Sequence, residues 1–269
     1  MNRLFATFKS LVKIVLLSRC VKKLPEAEGQ KIIILGNGPS LNDTVAMHLQ
    51  ILKSTPAMAV NFAPLSPVFF DIRPRYYILA DPHFFKDSDN GGNLDKLRRT
   101  LRRVDWPMTV FVPAQYIKAA RSFYSGLDVR PANFVGVEGY EFFTHAAFRA
   151  GMGMPRPRNV LIPAIMLSIA MGYKEVVITG ADHSWLKTLW VTDENEVVSV
   201  QPHFYADSDK ELNRIRRDYQ KKRLHEVVDN FAIVFRGYHF IERYARCRGV
   251  RVLNATPGSF IDAFERTSL

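Results

Sequence analysis

The chain reads as an α/β protein with a Rossmann-like, mostly parallel sheet carrying helices on both faces, and three observations predict this. Ile32-Ile33-Ile34-Leu35 is apolar without alternation, as a parallel strand covered on both faces requires. Further short apolar segments recur along the chain with helical stretches between them, the pattern of a parallel α/β sheet. At 269 residues with 47% hydrophobic content, the chain is long enough to bury the core of one large α/β unit.

The first expected element is a helix. Leu4, Phe5, Phe8, Leu11, Val12, Val15 and Leu16 recur at helical spacing, while Arg3, Lys9, Lys13, Arg19, Lys22 and Lys23 supply positive charge. Residues 1–28 therefore read as a basic amphipathic helix, suited to in-plane attachment at an anionic membrane surface or to packing on its own domain or a second subunit. Lys9 and Lys13 interrupt any signal-peptide core, and no small-x-small cleavage site precedes Pro25. The sequence holds no run of about 18 uncharged apolar residues, the length a spanning helix needs. Cys20 and Cys247 make no metal or disulfide framework and suit isolated thiols in a reducing cytoplasm.

Residues 29–269 read as a single domain. Strands are expected at Lys31 to Leu35, Ala57 to Val60, Tyr76 to Leu79, Met108 to Val112, Glu175 to Thr179 and Val250 to Leu253. The helix at about Ile162 to Met171 is almost wholly apolar and is expected between sheet and neighbours. Ligands of open parallel sheets sit beyond the carboxyl ends of the strands. Those ends are Gly36 to Ser40, Asn61, Asp81-Pro82, Gly180 to Asp182 and Asn254 to Ser259, and a nucleotide site requires them to converge. From about His183 to Lys222 the pattern is less regular, with Trp185, Trp190, His203, Phe204 and Tyr205, and reads as an inserted lid at about 183–222.

The loop Gly36-Asn37-Gly38-Pro39-Ser40 has the first chemical interest. Its glycines would let backbone N–H groups turn toward a phosphate or ribose, although a plain strand-to-helix turn capped by Ser40 or Asn42 also fits. The loop lacks the Gly-Lys-Ser/Thr ending of a P-loop and the third glycine of a dinucleotide fingerprint. A net charge of +11, from 37 basic and 26 acidic residues, suits phosphate-bearing partners. No motif for reading nucleic acid accompanies it, so anionic lipid or a phosphorylated glycolipid is the expected partner.

Gly36-Asn37-Gly38-Pro39-Ser40-Leu41 resembles the opening loop of the small bacterial sialyltransferases that use CMP-sialic acid to decorate lipooligosaccharide. It also resembles the loop of a wider group of motility accessory factors and a hydroxymethylpterin pyrophosphokinase. Gly172-Tyr173-Lys174-Glu175 followed by Val176-Val177-Ile178-Thr179-Gly180-Ala181-Asp182 is similar to that group's second signature. Val60-Asn61, Asp81-Pro82-His83-Phe84-Phe85 and Leu253 to Phe260 resemble three weaker family segments. The likeness runs from about Lys31 to Phe264.

The resemblance implies a CMP-sugar-dependent glycosyltransferase, inverting and metal-independent, with a glycan or glycolipid acceptor in lipopolysaccharide or capsule assembly. It implies a nucleotide-sugar pocket at Gly36, Asn37, Gly38, Pro39, Ser40, Asn61, Asp81, Arg158, Asn159, Gly180 and Asp182, with His183 or Tyr205 near the phosphate. A base is implied in the lid, where His203 in Gln201-Pro202-His203-Phe204-Tyr205 is the positional candidate, and a neutral histidine suits proton removal near pH 7. The family's Thr-Ser pair for the sugar carboxylate falls near Asn159-Val160, where Arg156 and Arg158 offer a bidentate grip instead. Sialic acid, another nonulosonate or Kdo fits such a grip.

No cofactor and no metal is expected, since a CMP-sugar carries one phosphate. Asp87-Ser88-Asp89 and Asp207-Ser208-Asp209 match the metal-binding Asp-x-Asp pattern but follow no clear strand. The expected location is cytoplasmic, peripheral on the inner face of the cytoplasmic membrane, with homo-oligomerisation open. Two alternatives remain: a pyrophosphokinase acting on a pterin-like molecule, which would need magnesium for ATP, and a non-catalytic nucleotide-binding accessory protein of surface glycan assembly.

Overall fold

The computed structural model describes residues 2–21, 23–87, 89, 92–199 and 222–269. Among them, eight strands form one parallel sheet in the order β10-β9-β6-β1-β2-β3-β4-β5. The first five are β1 (Lys31–Leu35), β2 (Ala57–Val60), β3 (Tyr76–Ile78), β4 (Thr109–Pro113) and β5 (Asp128–Ala132). They step outward in one direction; β6 (Glu175–Thr179), β9 (Arg251–Asn254) and β10 (Glu265–Arg266) extend the sheet from the other side of β1. The chain thus reverses its strand order between β1 and β6, and that switch point is where a crevice opens in a sheet of this kind.

The expected Rossmann-like architecture is present, with its strands placed to within one residue at each end. Two strands of the sheet are missing from the sequence reading: the two-residue β10, and β5, Asp-Val-Arg-Pro-Ala, whose polar and proline content hides it. β5 lies at a sheet edge, where proline costs no ladder bond to a further strand.

Both faces are covered because alternate side chains of the central strands point opposite ways. Ile32, Ile34, Met58, Val60, Val176 and Ile178 pack under α7 (Leu161–Met171), and α8 (Leu224–Cys247) lies over α7. On the opposite face, Ile33, Leu35 and Val177 meet α2 (Leu41–Ser54), with Ile72 of α3 (Val68–Ile72) in the same cluster. Further along that face, Tyr77, Val110 and Val112 meet α4 (Asn93–Leu101) and α5 (Ile117–Phe123). Nearly every residue of α7 is buried, as its apolar sequence predicts, and each large aliphatic there contributes about 1.5–3 kcal/mol by burial. Gly237 lets α8 approach closely: a Cβ there would stand 3.0 Å from Ile162 Cδ1.

Helix α1 (Arg3–Leu17) packs on the segment after β5 through a narrow, small-residue face. Ser10 Oγ donates to Glu138 O at 2.9 Å and accepts from Glu138 N, and Thr7 Oγ1 accepts from Tyr140 N. Beyond the helix end, Ser18 Oγ donates to Met152 O. The start of the expected lid forms a short 3-10 helix, Ser184–Thr188, and an antiparallel hairpin, β7 (Leu189–Val191) with β8 (Val197–Ser199). Trp185, Leu189 and Val197 pack on Val227, Phe231 and Phe235 of α8. Helix α6 (Glu141–Arg149) follows the α1 docking segment.

Candidate functional site

The two glycine loops meet backbone to backbone at the switch point. Gly36 N donates to Thr179 O and Gly38 N to Gly180 O, each at 2.8 Å. A Cβ on Gly36 would fall 2.3 Å from Gly180 O, and Gly180 itself holds a left-handed φ of +64°. These N–H groups are therefore occupied inside the protein. The expectation that they face a phosphate is corrected: the glycines are required by the close approach of β1 and β6, not by donation to a ligand.

Ser40 stands at the N-cap position of α2, yet its hydroxyl makes no cap bond and donates instead to Asp182 Oδ2 at 2.8 Å. Asp182 is thereby fixed across the β1–β6 junction. Behind it, Ser259 Oγ donates to Ala181 O, Thr256 Oγ1 accepts from Ala181 N and Asn254 Nδ2 donates to Ser259 Oγ. The segment Asn254 to Ser259 consequently buttresses the Gly180 to Asp182 loop from behind and does not line the crevice.

The crevice is a cavity of about 310 Å³ lined by Gly36 to Pro39, Asn61, Asn159, Gly180, Asp182 and His183. Ser184, Trp185, Lys187 and Thr188 complete its far wall. The N-termini of α2 and α7 both border it, bringing partial positive charge, and Lys187 is the sole cationic side chain of the lining among the described residues. Lys187 Nζ also lies 5.2 Å from the Phe260 ring centroid.

Two asparagines give this cavity its strongest demand for a ligand. Asn61 adopts φ +48°, a left-handed conformation that asparagine tolerates better than most residues. Its N–H donates to Ile78 O, and Tyr77 Oη donates to its carbonyl. Asn37 Nδ2 donates to Val60 O at 3.1 Å. The Oδ1 atoms of both residues are buried without a hydrogen-bond partner among the described residues. An unsatisfied buried acceptor costs about 1–3 kcal/mol, and both asparagines that carry one are lining residues of the cavity.

His183 lies deeper. It holds φ +51° and lies tilted against Trp185 with ring centroids 4.2 Å apart. Its Nε2 is 2.7 Å from Tyr238 Oη, which donates to Asn159 Oδ1 at 3.3 Å. Asn159 Oδ1 also accepts from Leu161 N, holding the start of α7. Burial drives the His183 pKa down to about 3 and pushes the Tyr238 phenol well above its ordinary value. The imidazole is therefore neutral across the physiological range.

Of the expected site residues, the structure gathers Gly36, Asn37, Gly38, Pro39, Asn61, Asn159, Gly180, Asp182 and His183 at one cavity, with Ser40 bonded to it through Asp182. Two are elsewhere. Asp81 is exposed and caps a 3-10 turn, its Oδ1 accepting from His83 N at 2.7 Å. Arg158 is exposed and outside the lining, although Asn159 beside it belongs to it. His203 and Tyr205 lie outside the described residues. Lys187 and Tyr238 were not foreseen: Lys187 carries no local signature, and Tyr238 reaches the site from mid-helix, 55 residues along the chain from His183.

As to metals, Asp89 is used structurally, its carboxylate accepting from Leu94 N and Asp95 N at the start of α4. Asp207 and Asp209 lie outside the described residues. Glu141, His145 and Cys247 bring ligand atoms within 4.8 Å of one another on α6 and α8, outside the cavity lining, and Arg243 stands 4.0 Å from Glu141. Within the cavity lining, Asp182 is the one carboxylate among the described residues.

No protein-family model matches the chain, and no curated protein matches it in sequence. Among solved structures it is similar to the MAf glycosyltransferase from Magnetospirillum magneticum AMB-1, at 11% identity and a TM-score of 0.52. That match covers 100% of this chain but 39% of the other, so this chain spans about two fifths of that protein's length. A looser match, at 10% identity and a TM-score of 0.44, is to the apo α-2,3-sialyltransferase from Campylobacter jejuni, covering 93% of this chain and 85% of that one. At such identities the first likeness shows a shared fold alone: this chain folds as the matched two fifths of the MAf glycosyltransferase does.

Proposed function

We propose that this chain is a glycosyltransferase that binds a CMP-activated acidic sugar at the β1–β6 crevice and transfers it to a surface glycan or glycolipid. The observation that carries the reading is the pair of buried, unpartnered amide oxygens, Asn37 Oδ1 and Asn61 Oδ1, beside a cavity of about 310 Å³. Cytosine offers an exocyclic amine and ribose two hydroxyls, the donors those oxygens lack. The α2 and α7 N-termini and Lys187 suit the single phosphate of CMP, which must gain charge as the glycosidic bond breaks. The donor class is a sialic acid, another nonulosonate or Kdo.

The acceptor hydroxyl must lose its proton as the new bond forms. His183 serves poorly, because a folded-state pKa of about 3 leaves a weak base and its Nε2 is engaged by Tyr238. His203 is retained as the proposed base and Tyr205 as a proposed phosphate contact. Among the described residues the cavity lining holds one carboxylate, already bonded to Ser40, a donor set that suits metal-independent chemistry better than a magnesium-dependent pyrophosphokinase, whose metal needs carboxylate ligands beside the phosphates. No helix among the described residues is long and apolar enough to cross a membrane. We place the reaction at the cytoplasmic face of the membrane, where an acceptor glycolipid would be met.

A thermal-shift panel of CMP, CDP, UDP, GDP and ATP, each with and without magnesium, tests the nucleotide. CMP alone at about 100 times its Kd should stabilise the fold by about 2.7 kcal/mol without metal. Asn61→Ala should weaken CMP about 10- to 100-fold by removing one buried acceptor. Stabilisation by ATP with magnesium and not by CMP would transfer the assignment to the pyrophosphokinase. Separately, His203→Gln should abolish transfer at saturating acceptor while leaving the CMP shift intact; unchanged transfer would remove His203 from the mechanism.

A further inference from the structure

Helix α1 turns its apolar side outward. Leu4, Phe5, Phe8, Leu11, Val15 and Leu16 are all exposed, Phe8 by 64% and Val15 by 73%. With Val12 they form a stripe about 140° wide at 100° per residue. The opposite side, at Ala6, Ser10 and Ile14, is the side that packs on the domain. The helix is thus firmly held, and holding it costs none of its apolar face. Exposed contiguous patches of this kind mark docking surfaces.

The surroundings say what docks. No acidic residue occurs in α1 or before Glu26, whereas Arg3, Lys9, Lys13 and Arg19 lie along it. Burial lowers the Lys13 pKa, and Arg156, Lys9 and Arg158 add like-charge repulsion outweighing Glu138, so cations crowd this edge. Between α1 and α8 opens a cavity of about 370 Å³, lined by Arg3, Glu138, Arg156, Arg236 and Phe240 among others. Arg156 is paired with Glu138 at 2.9 Å, while Arg3 and Arg236 have no carboxylate partner among the described residues. Tyr140, bonded through its N–H to Thr7, stacks on Phe142, which is 75% exposed and extends the surface with the aromatic character favoured at a bilayer interface. Pairing two copies of the chain through this face would bring two cationic rims together, which disfavours a dimer.

We propose that α1 is a membrane-docking helix: its exposed stripe enters the interfacial layer of an anionic bilayer, and the Arg3–Arg156–Arg236 cleft takes a phospholipid phosphate. Partial insertion of Phe5, Phe8, Val15 and Leu16 supplies the apolar contribution and the arginines the charge-dependent one. The segment on which α1 rides, from Asn133 to Met152, leads directly to Asn159 at the crevice. A glycolipid acceptor in the same bilayer would so be delivered to the transfer site, a consequence that rests on the transferase reading; the docking itself does not.

The test is co-sedimentation of the full chain with phosphatidylcholine vesicles, with and without phosphatidylglycerol, in the absence of nucleotide. The chain should pellet with the anionic vesicles and be released by high salt. Phe8→Glu with Val15→Glu, at exposed positions, should leave melting unchanged and lower the partition more than about tenfold. Arg3→Gln with Arg236→Gln should lower it about fivefold or more on anionic vesicles only. Equal binding to neutral and anionic vesicles, or unchanged binding by the Phe8/Val15 variant, overturns the proposal. So does a wild-type dimer that this variant dissolves in the absence of any vesicle binding. Loss of vesicle binding beside an intact CMP shift overturns this surface alone and leaves the transferase reading in place.

Discussion

Gly36→Ala should lower stability by about 3 kcal/mol and the melting temperature by about 6–12 °C. The new Cβ would meet Gly180 O at 2.3 Å, Gly180 C at 2.7 Å and Thr179 O at 3.1 Å, all backbone atoms of the neighbouring strand end. None of these can swing aside as a side chain does. Relief requires β1 and β6 to part at their carboxyl ends, which stretches the Gly36 N to Thr179 O and Gly38 N to Gly180 O bonds together. Gly38→Ala presents a different balance. Its Cβ would lie 1.9 Å from Asp182 Oδ2, a movable carboxylate, and 2.8 Å from Gly180 O. Its stability loss should be smaller, while the displaced Asp182 leaves Ser40 and disturbs the cavity, so nucleotide affinity should fall more than melting does. Calorimetry with and without CMP distinguishes the two. A Gly36→Ala protein melting within about 2 °C of wild type would mean that the loops do not press together in solution.

Acid should destabilise the fold through His183. Its folded-state pKa is about 3, held down by burial, whereas an unfolded histidine titrates near 6.5. Below pH 6.5 the unfolded chain binds a proton that the folded chain refuses, so the stabilisation is fully present above pH 6.5 and is lost progressively as pH falls toward 3. By pH 5 the loss is about 2 kcal/mol, or about 4–8 °C of melting temperature. His183→Asn keeps a residue that tolerates the left-handed backbone and removes the titrating group. It should start less stable, having lost the Tyr238 contact, and should show a markedly flatter dependence between pH 7 and pH 5. His145 is also lowered by burial and adds a fall of the same sign, but it does so in both proteins, so the difference in slope isolates His183. Parallel slopes would show that the imidazole is not buried neutral.

The Ile32 to Leu35 run, the apolar Leu161–Met171 helix and the two glycine signatures were legible because each is a local consequence of burial on both faces or of a tight turn. Asp-Val-Arg-Pro-Ala could not be read as β5, since an edge strand needs neither continuous apolarity nor a full set of N–H groups. Gly36 and Gly38 were correctly singled out for their lack of a side chain, but whether that space admits a ligand or a neighbouring backbone depends on residues some 140 positions away.

The sequence by itself determined six strands of the sheet, its two covered faces, the strand-end loops and the amphipathic pattern of α1, because periodicity and glycine placement act over a few residues. Only the tertiary structure decided that Gly36 and Gly38 spend their N–H groups on β6, that Asn37 and Asn61 keep bare acceptors at the cavity, that Asp81 and Arg158 stand apart from it, that His183 is neutralised through burial against Tyr238 and Trp185, and that α1 packs by its small face and bares its apolar one. Burial and hydrogen-bond partnership are set by which distant segments meet, and that meeting is fixed by chain topology, which no local pattern carries.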